Sequence, residues 1–261
     1  MKKIIFAIVV IALVTTLSAQ SLLEQAESYY EKRGEKFNSA TLLADPAHID
    51  QAIKLYEQAM KELPGDQKAE ATWKLIRAYY FKGRYTTKNT EEKKKIYDLG
   101  KNIGEKSVLE FTKSPGVFLF TAIVWGVWGE EYGILKAARE GVAGKIKEYC
   151  EKSIELDPNF DEAGGYRVLG RVYFKAPKIP FILGWPSTDK AIEFLKKANQ
   201  IAPKNLTTKQ FLAEALYKKD KTQDAMKLME EVLAEKELID GIVEDTVVKD
   251  EVKKTLADWK K

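Results

Sequence analysis

The strongest constraint on this chain is a spacing that recurs. Ala52, Tyr56, Ala59 and Pro64 stand at intervals of four, three and five residues, and Ala191, Leu195, Ala198 and Pro203 repeat those intervals. Ala225, Met229 and Val232 give the first two intervals again, without the proline. Steps of four and three put residues on one face of a helix. Two small residues flanking a large one let a second helix approach closely, and proline ends the helix. Ahead of the second instance stand Tyr166, Leu169, Gly170 and Tyr173, an aromatic, a Leu-Gly pair and another aromatic at helical spacing. Residues 161–203 therefore carry both halves of an antiparallel helix pair. A chain built from such pairs buries its apolar faces by stacking one pair on the next.

The unit is that of the tetratricopeptide repeat, about 34 residues long. The expected fold class is all-α, a tetratricopeptide-like helical repeat array (an α-solenoid) of about five helix pairs with a C-terminal capping helix. An amphipathic helix is expected from Ser21 to Arg33, and Asp45-Pro46 can start the next. ATWKLIRAYYFKG follows, then a helix from Thr90 to about Lys106. Ser114-Pro115 opens PGVFLFTAIVWGVWG, apolar all the way round and so a helix enclosed by neighbours. Its partner runs from about Ala143 to Leu156. Lys175 to Ser187, with Pro177, Pro180, Gly184, Trp185 and Pro186, is a loop inserted in the central unit. Thr207 and Gln210 suggest a capping box, and VEDTVVKDEVKKTLADWKK covers the open end of the stack. Met1 to Ala19 has the pattern of a signal peptide, which leaves 20–261 as a single helical domain.

Charged residues make up 31% and apolar ones 45%, which suits a folded body over a disordered one. Without Lys2 and Lys3, 41 basic residues face 39 acidic ones, too even a balance to point to nucleic acid. The single cysteine, Cys150, falls at an apolar helical position and reads as a buried, inert thiol. The single histidine, His48, excludes the common zinc hydrolase patterns. Neither a Gly-x-Ser-x-Gly elbow nor a phosphate-binding glycine loop occurs. No catalytic residue, cofactor or metal is expected, and binding is the favoured class. Trp125, Trp128, Tyr132 and Trp185 are the unusual side chains. Helix packing is the first account of the Phe118–Trp128 stripe; the functional account is an apolar cavity lined by Trp125 and Trp128. Arg167 suits an ion pair between helices or, functionally, a bidentate grip on a ligand carboxylate.

With these residues in view, the chain resembles the T-component (TatT) family of tripartite ATP-independent periplasmic (TRAP) transporters. Tyr166 to Tyr173 followed by Ala176-Pro177, the run AIKLYEQAMKELPGD from Ala52 to Asp66, and the Trp-Gly-rich helix from Phe118 to Gly129 carry the resemblance. It implies an exported accessory protein of TRAP-type uptake, located in the periplasm and bound to the solute-binding P component. It further implies a homotrimer around an apolar pore and a small hydrophobic or carboxylate-bearing ligand, with membrane contact only through partners or an uncleaved signal. Two features depart from that family: the lipidated cysteine is absent, and Gly184-Trp185-Pro186-Ser187 stands where a glycine-rich acidic turn is expected. The alternative is a purely structural tetratricopeptide adaptor of the cell envelope. A more distant similarity, to eukaryotic regulators of microtubule dynamics, rests on a similar Leu-Gly-Tyr run and Pro loop. The short signal and the lack of a cytosolic extension count against it.

Overall fold

Small residues set how closely the helices stack. A computed structural model describes residues 21–178 and 183–260. The segment expected to be a signal peptide lies outside the described residues, as do residues 179–182 of the loop. The first helix, α1, covers residues 21–31. It is followed by α2 (Ala47–Glu62), α3 (Gly65–Tyr85), α4 (Thr90–Glu110), α5 (Pro115–Tyr132) and the short α6 (Ile134–Arg139). Then come α7 (Val142–Leu156), α8 (Phe160–Lys175), α9 (Thr188–Ile201), α10 (Leu206–Tyr217), α11 (Thr222–Ala234) and α12 (Ile242–Trp259). The pairs are α1 with α2, α3 with α4, α5 with α7, α8 with α9, and α10 with α11. The helical-repeat fold expected from the spacing is therefore the observed one.

The recurring positions are the packing seams. Ala52, Tyr56, Ala59, Ala191, Leu195, Ala198, Ala225, Met229 and Val232 are all fully buried. At Gly170 the approach is close: a Cβ there would lie 2.5 Å from Leu195 Cγ and 3.2 Å from the Ala191 carbonyl oxygen. The starts of α4 and α5 carry side-chain caps, Asn89 accepting from the Glu92 amide and Ser114 from that of Val117. The expected Thr207–Gln210 box does not form. Asn205 caps α10 instead, its Oδ1 accepting from both the amide and the hydroxyl of Thr208, while Gln210 donates to Glu251.

Helix α5 is enclosed as expected, in contact with α3, α4, α7 and α8. Cys150 is fully buried, and burial pushes its thiol well above the ordinary range. Among the described residues no helix is long and apolar enough to cross a membrane. Among the described residues one large apolar core runs from α1 to α8, a second runs through α9 to α12, and a small third cluster joins Val108 of α4 to Val117 and Phe118 of α5. The last helix does more than cover the open end. Val248, Val252 and Leu256 of α12 belong to the second core, whereas Val243 reaches back into the first. In doing so α12 crosses the concave side of the stack.

Candidate binding channel

One face of the first helix of every pair, the α6–α7 stretch and α12 together line a channel of about 900 Å³. Its middle is apolar, formed by Phe120, Ile123, Gly126 and Val127 of α5 and Val168 and Val172 of α8. Charged side chains stand at its ends and along its walls, most of them fixed by a neighbour. At the N-terminal end the Tyr30 ring lies between two guanidinium groups, Arg77 at 3.8 Å and Arg33 at 4.4 Å from its centroid. Arg77 donates to Glu27 (2.9 Å), which also accepts from the Tyr56 hydroxyl (2.7 Å) and pairs with Lys74 (3.0 Å). Burial opposes ionisation of Glu27, but Arg77, Tyr56 and Lys74 outweigh it and hold the carboxyl at about 2. At the C-terminal end Arg171 packs over the Phe211 ring at 4.0 Å and donates to Glu214 at 2.6 Å.

The wall between these ends contains a strained turn. Asp161, Glu162 and Ala163 have φ of 51°, 53° and 61°, left-handed conformations that cost residues with a Cβ about 1–2 kcal/mol each. Arg167 holds the turn together. Its guanidinium donates to the Glu162 carbonyl (3.1 Å) and to the Asp161 carboxylate (2.9 Å). Asn205 bridges from α10, donating to Glu162 (2.8 Å) and to Asp240 (3.4 Å). Burial raises the Asp240 carboxyl to about 6, with Arg167 opposing and Glu162 reinforcing the rise.

Helix α12 closes the remaining side. Arg33 donates through Nε to Glu244 (2.8 Å) and through its second nitrogen to the Asp240 carbonyl (2.7 Å). Arg84 donates to Glu251 at 2.6 Å, and Gln210 donates to the other oxygen of that carboxylate at 3.1 Å. Residues more than 160 positions apart in sequence thus meet across the channel.

Of the five residues proposed from sequence, Arg167 and Trp185 line this channel. Trp185 packs edge-on against Tyr173 with ring centroids 4.7 Å apart. Trp125, Trp128 and Tyr132 do not line it; they occupy a different face of α5, toward α4 and α7. Trp128 Nε1 and the Tyr132 hydroxyl both donate to Asp98 of α4 at 2.7 Å. Lys101 and Lys145 lie over the fully buried Trp125 ring at 4.6 and 4.0 Å. Sequence reasoning missed Arg33, Arg77, Arg84, Glu244 and Glu251. Only the seven-residue step from Arg77 to Arg84, two turns along one helical face, could have hinted at them. Among the described residues no group of three or more His, Cys, Asp or Glu could hold a metal ion. The geometry is that of an apolar-walled channel with fixed charges.

The family model described as regulator of microtubule dynamics protein 1-3 matches residues 22–260. Regulator of microtubule dynamics protein 2 of Bos taurus is 27% identical over 169 residues, covering 65% of this chain and 36% of that protein. Protein 3 of Rattus norvegicus is 31% identical over 111 residues, 42% of this chain and 22% of that one. The chain thus spans about a third or less of the curated relatives it matches. Among solved structures, TTC0263, a thermophilic TPR protein of Thermus thermophilus, superposes with a TM-score of 0.59 at 17% identity. The match covers 92% of this chain and 99% of that one, a likeness of fold alone.

These matches overturn the TatT resemblance and what it implied: TRAP-type uptake, the solute-binding P component as partner, the homotrimer, the small hydrophobic or carboxylate ligand and the periplasmic location. The physical reason lies in the residues that carried it. Leu169 is buried and Gly170 faces Leu195, so the Tyr166–Tyr173 run is fixed by helix packing and carries no TRAP-specific role, and the more distant similarity to regulators of microtubule dynamics is the one that holds. Over nearly the whole of its described length, this chain belongs to the regulator of microtubule dynamics protein 1-3 family.

Proposed function

We propose that this chain is a non-catalytic adaptor that holds a short extended segment of a partner protein in its concave channel. The observation that carries the reading is the channel itself: about 900 Å³, with an apolar stretch on α5 and α8 and charged side chains along its walls and ends. That volume is near the top of the roughly 300–1,000 Å³ range of binding pockets. It takes a peptide segment and excludes a folded domain. Stacked repeats use such concave faces for binding, and the shared stretch with the relatives is this helical body.

The test is a peptide-display selection against the full chain and a Gly126→Trp variant. Gly126 lines the channel, and a Cβ there meets only Ile146 Cδ1, at 3.8 Å. From that open position the indole is meant to obstruct the channel. The adaptor reading expects a common motif enriched on the wild type and depleted at least tenfold on Gly126→Trp. Identical selections on both chains would refute it. The relatives' names bring one specific candidate, the microtubule. Co-sedimentation with polymerised tubulin, lost in Gly126→Trp, would assign it; a chain left in the supernatant would remove that candidate.

A further inference from the structure

The edge where α12 meets the first two pairs is held differently from the rest of the stack. On one side α12 is part of the second core through Val248, Val252 and Leu256, and Trp259 stacks on Tyr217 with centroids 3.9 Å apart. On the other side two ion pairs bridge the closure, Arg33 with Glu244 and Arg84 with Glu251. An apolar contact accompanies them: Val243 is buried in the first core with Val247 packed against it, and a Cβ at Gly34 would lie 2.7 Å from Ile242 Cγ2 and 3.2 Å from Val243 Cγ2. The connection leading into α12, Glu235 to Gly241, ends on a glycine with φ of 133°, a conformation open to glycine and rarely to other residues.

We infer that this edge is the entrance to the channel, and that the segment it admits is acidic. Opening separates Glu244 and Glu251 from Arg33 and Arg84 while α12 stays on α10 and α11. The incoming segment then supplies carboxylates to the same two arginines. This rests on the adaptor reading for the partner, though the opening itself does not. The reason is charge conservation in a partly buried site. Arg33 and Glu244 are only 15% and 14% exposed in their side chains, so separating them without replacement leaves a desolvated guanidinium unpaired. A neutral segment imposes that cost, whereas an acidic one exchanges one ion pair for another. The spacing is set as well. Glu244 and Glu251 are seven residues apart on one helix, or about 10 Å. A segment in the polyproline II conformation rises about 3.1 Å per residue with about three residues per turn, so positions i and i+3 share one face about 9 Å apart, and the matching pattern is Glu-x-x-Glu. Apolar residues beside the carboxylates face the Phe120, Ile123 and Val168 wall.

The test uses the full chain with spin labels at Lys88→Cys, on the segment after α3, and Lys253→Cys, on α12, both exposed positions. The buried Cys150 stays in place. The probe is a synthetic eight-residue peptide with Glu-Val-Ala-Glu at its centre, beside a twin with both glutamates replaced by glutamine. The inference expects Glu244→Gln/Glu251→Gln to add a longer label distance without peptide and to bind the glutamate peptide at least fivefold tighter than wild type. It expects the glutamine twin to bind at least tenfold weaker, and Arg33→Gln/Arg84→Gln to lose the difference between the two peptides. Unchanged label distances in the Glu244→Gln/Glu251→Gln chain, or equal binding of both peptides, would overturn it. Equal binding that Gly126→Trp still abolishes sinks the acidic entrance and leaves the adaptor reading standing. No binding of either peptide, with a display motif still lost in Gly126→Trp, does the same.

Discussion

Replacing Glu27 by glutamine tests the electrostatics that fix the N-terminal end of the channel. Glu27 of α1 joins three helices, accepting from Tyr56 of α2 and Arg77 of α3 and pairing with Lys74 of α3. Its carboxyl is depressed from 4.5 to about 2, burial being outweighed by these partners. A group whose pKa is lowered on folding stabilises the fold above its unfolded value and loses that contribution as pH falls through the folded one. At about 1.36 kcal/mol per pKa unit the depression corresponds to about 3 kcal/mol. With the side chain 28% exposed, about 2–3 kcal/mol is expected at pH 7 after allowing for solvent. Glutamine keeps the shape but leaves Arg77 without its counter-ion, and Arg77 Nε already has no hydrogen-bond partner. Urea unfolding of both chains at pH 7, 5 and 3 gives the difference directly. It should be largest at pH 7, nearly as large at pH 5 and less than half as large at pH 3. A difference independent of pH, or smaller than about 0.5 kcal/mol at pH 7, would refute this account of the cluster.

Asp240→Asn should act in the opposite direction. The carboxyl is raised by burial from 3.8 to about 6, so its ionised form costs stability above pH 6 and the cost fades as pH falls toward 4. The variant should be more stable by about 1–2 kcal/mol at pH 8 and indistinguishable at pH 4, read by thermal unfolding at both. Gly170→Ala should destabilise by about 1–3 kcal/mol, because its Cβ would meet Leu195 and the Ala191 carbonyl where α8 and α9 touch. Denaturant titration measures it, and a neutral result would contradict the close approach. Trp128→Phe removes the indole donor to Asp98 and should cost about 1–3 kcal/mol of stability. It should leave peptide binding unchanged in a titration, since Trp128 lies away from the channel.

The repeat was legible because its causes are local. Ala191, Leu195 and Ala198 are four and three residues apart whether or not the fold is known, and each interval has one packing meaning. The direction of the tryptophans was not legible. Helix α5 is apolar all round, so its periodicity could not say which face meets the channel; the structure gives that face to Phe120, Ile123 and Val127 and turns Trp125 and Trp128 toward α4 and α7. The Arg33–Glu244 and Arg84–Glu251 pairs were hidden for another reason. Their members lie 211 and 167 residues apart, and each alone reads as a solvated charge. The left-handed turn at Asp161 to Ala163 left no local trace, since none of its residues is glycine and Arg167 holds it from outside. Family assignment failed where packing was taken for function, at the Tyr166–Tyr173 run.

The most direct test of the channel is hydrogen exchange of the full chain with and without a display-selected peptide. If the channel is the site, peptide-dependent protection falls on the inward helices α3, α5, α8 and α10 and on α12, and it disappears in Gly126→Trp. Protection confined to the outer helices α2, α4, α9 and α11, or retained in Gly126→Trp, would contradict it.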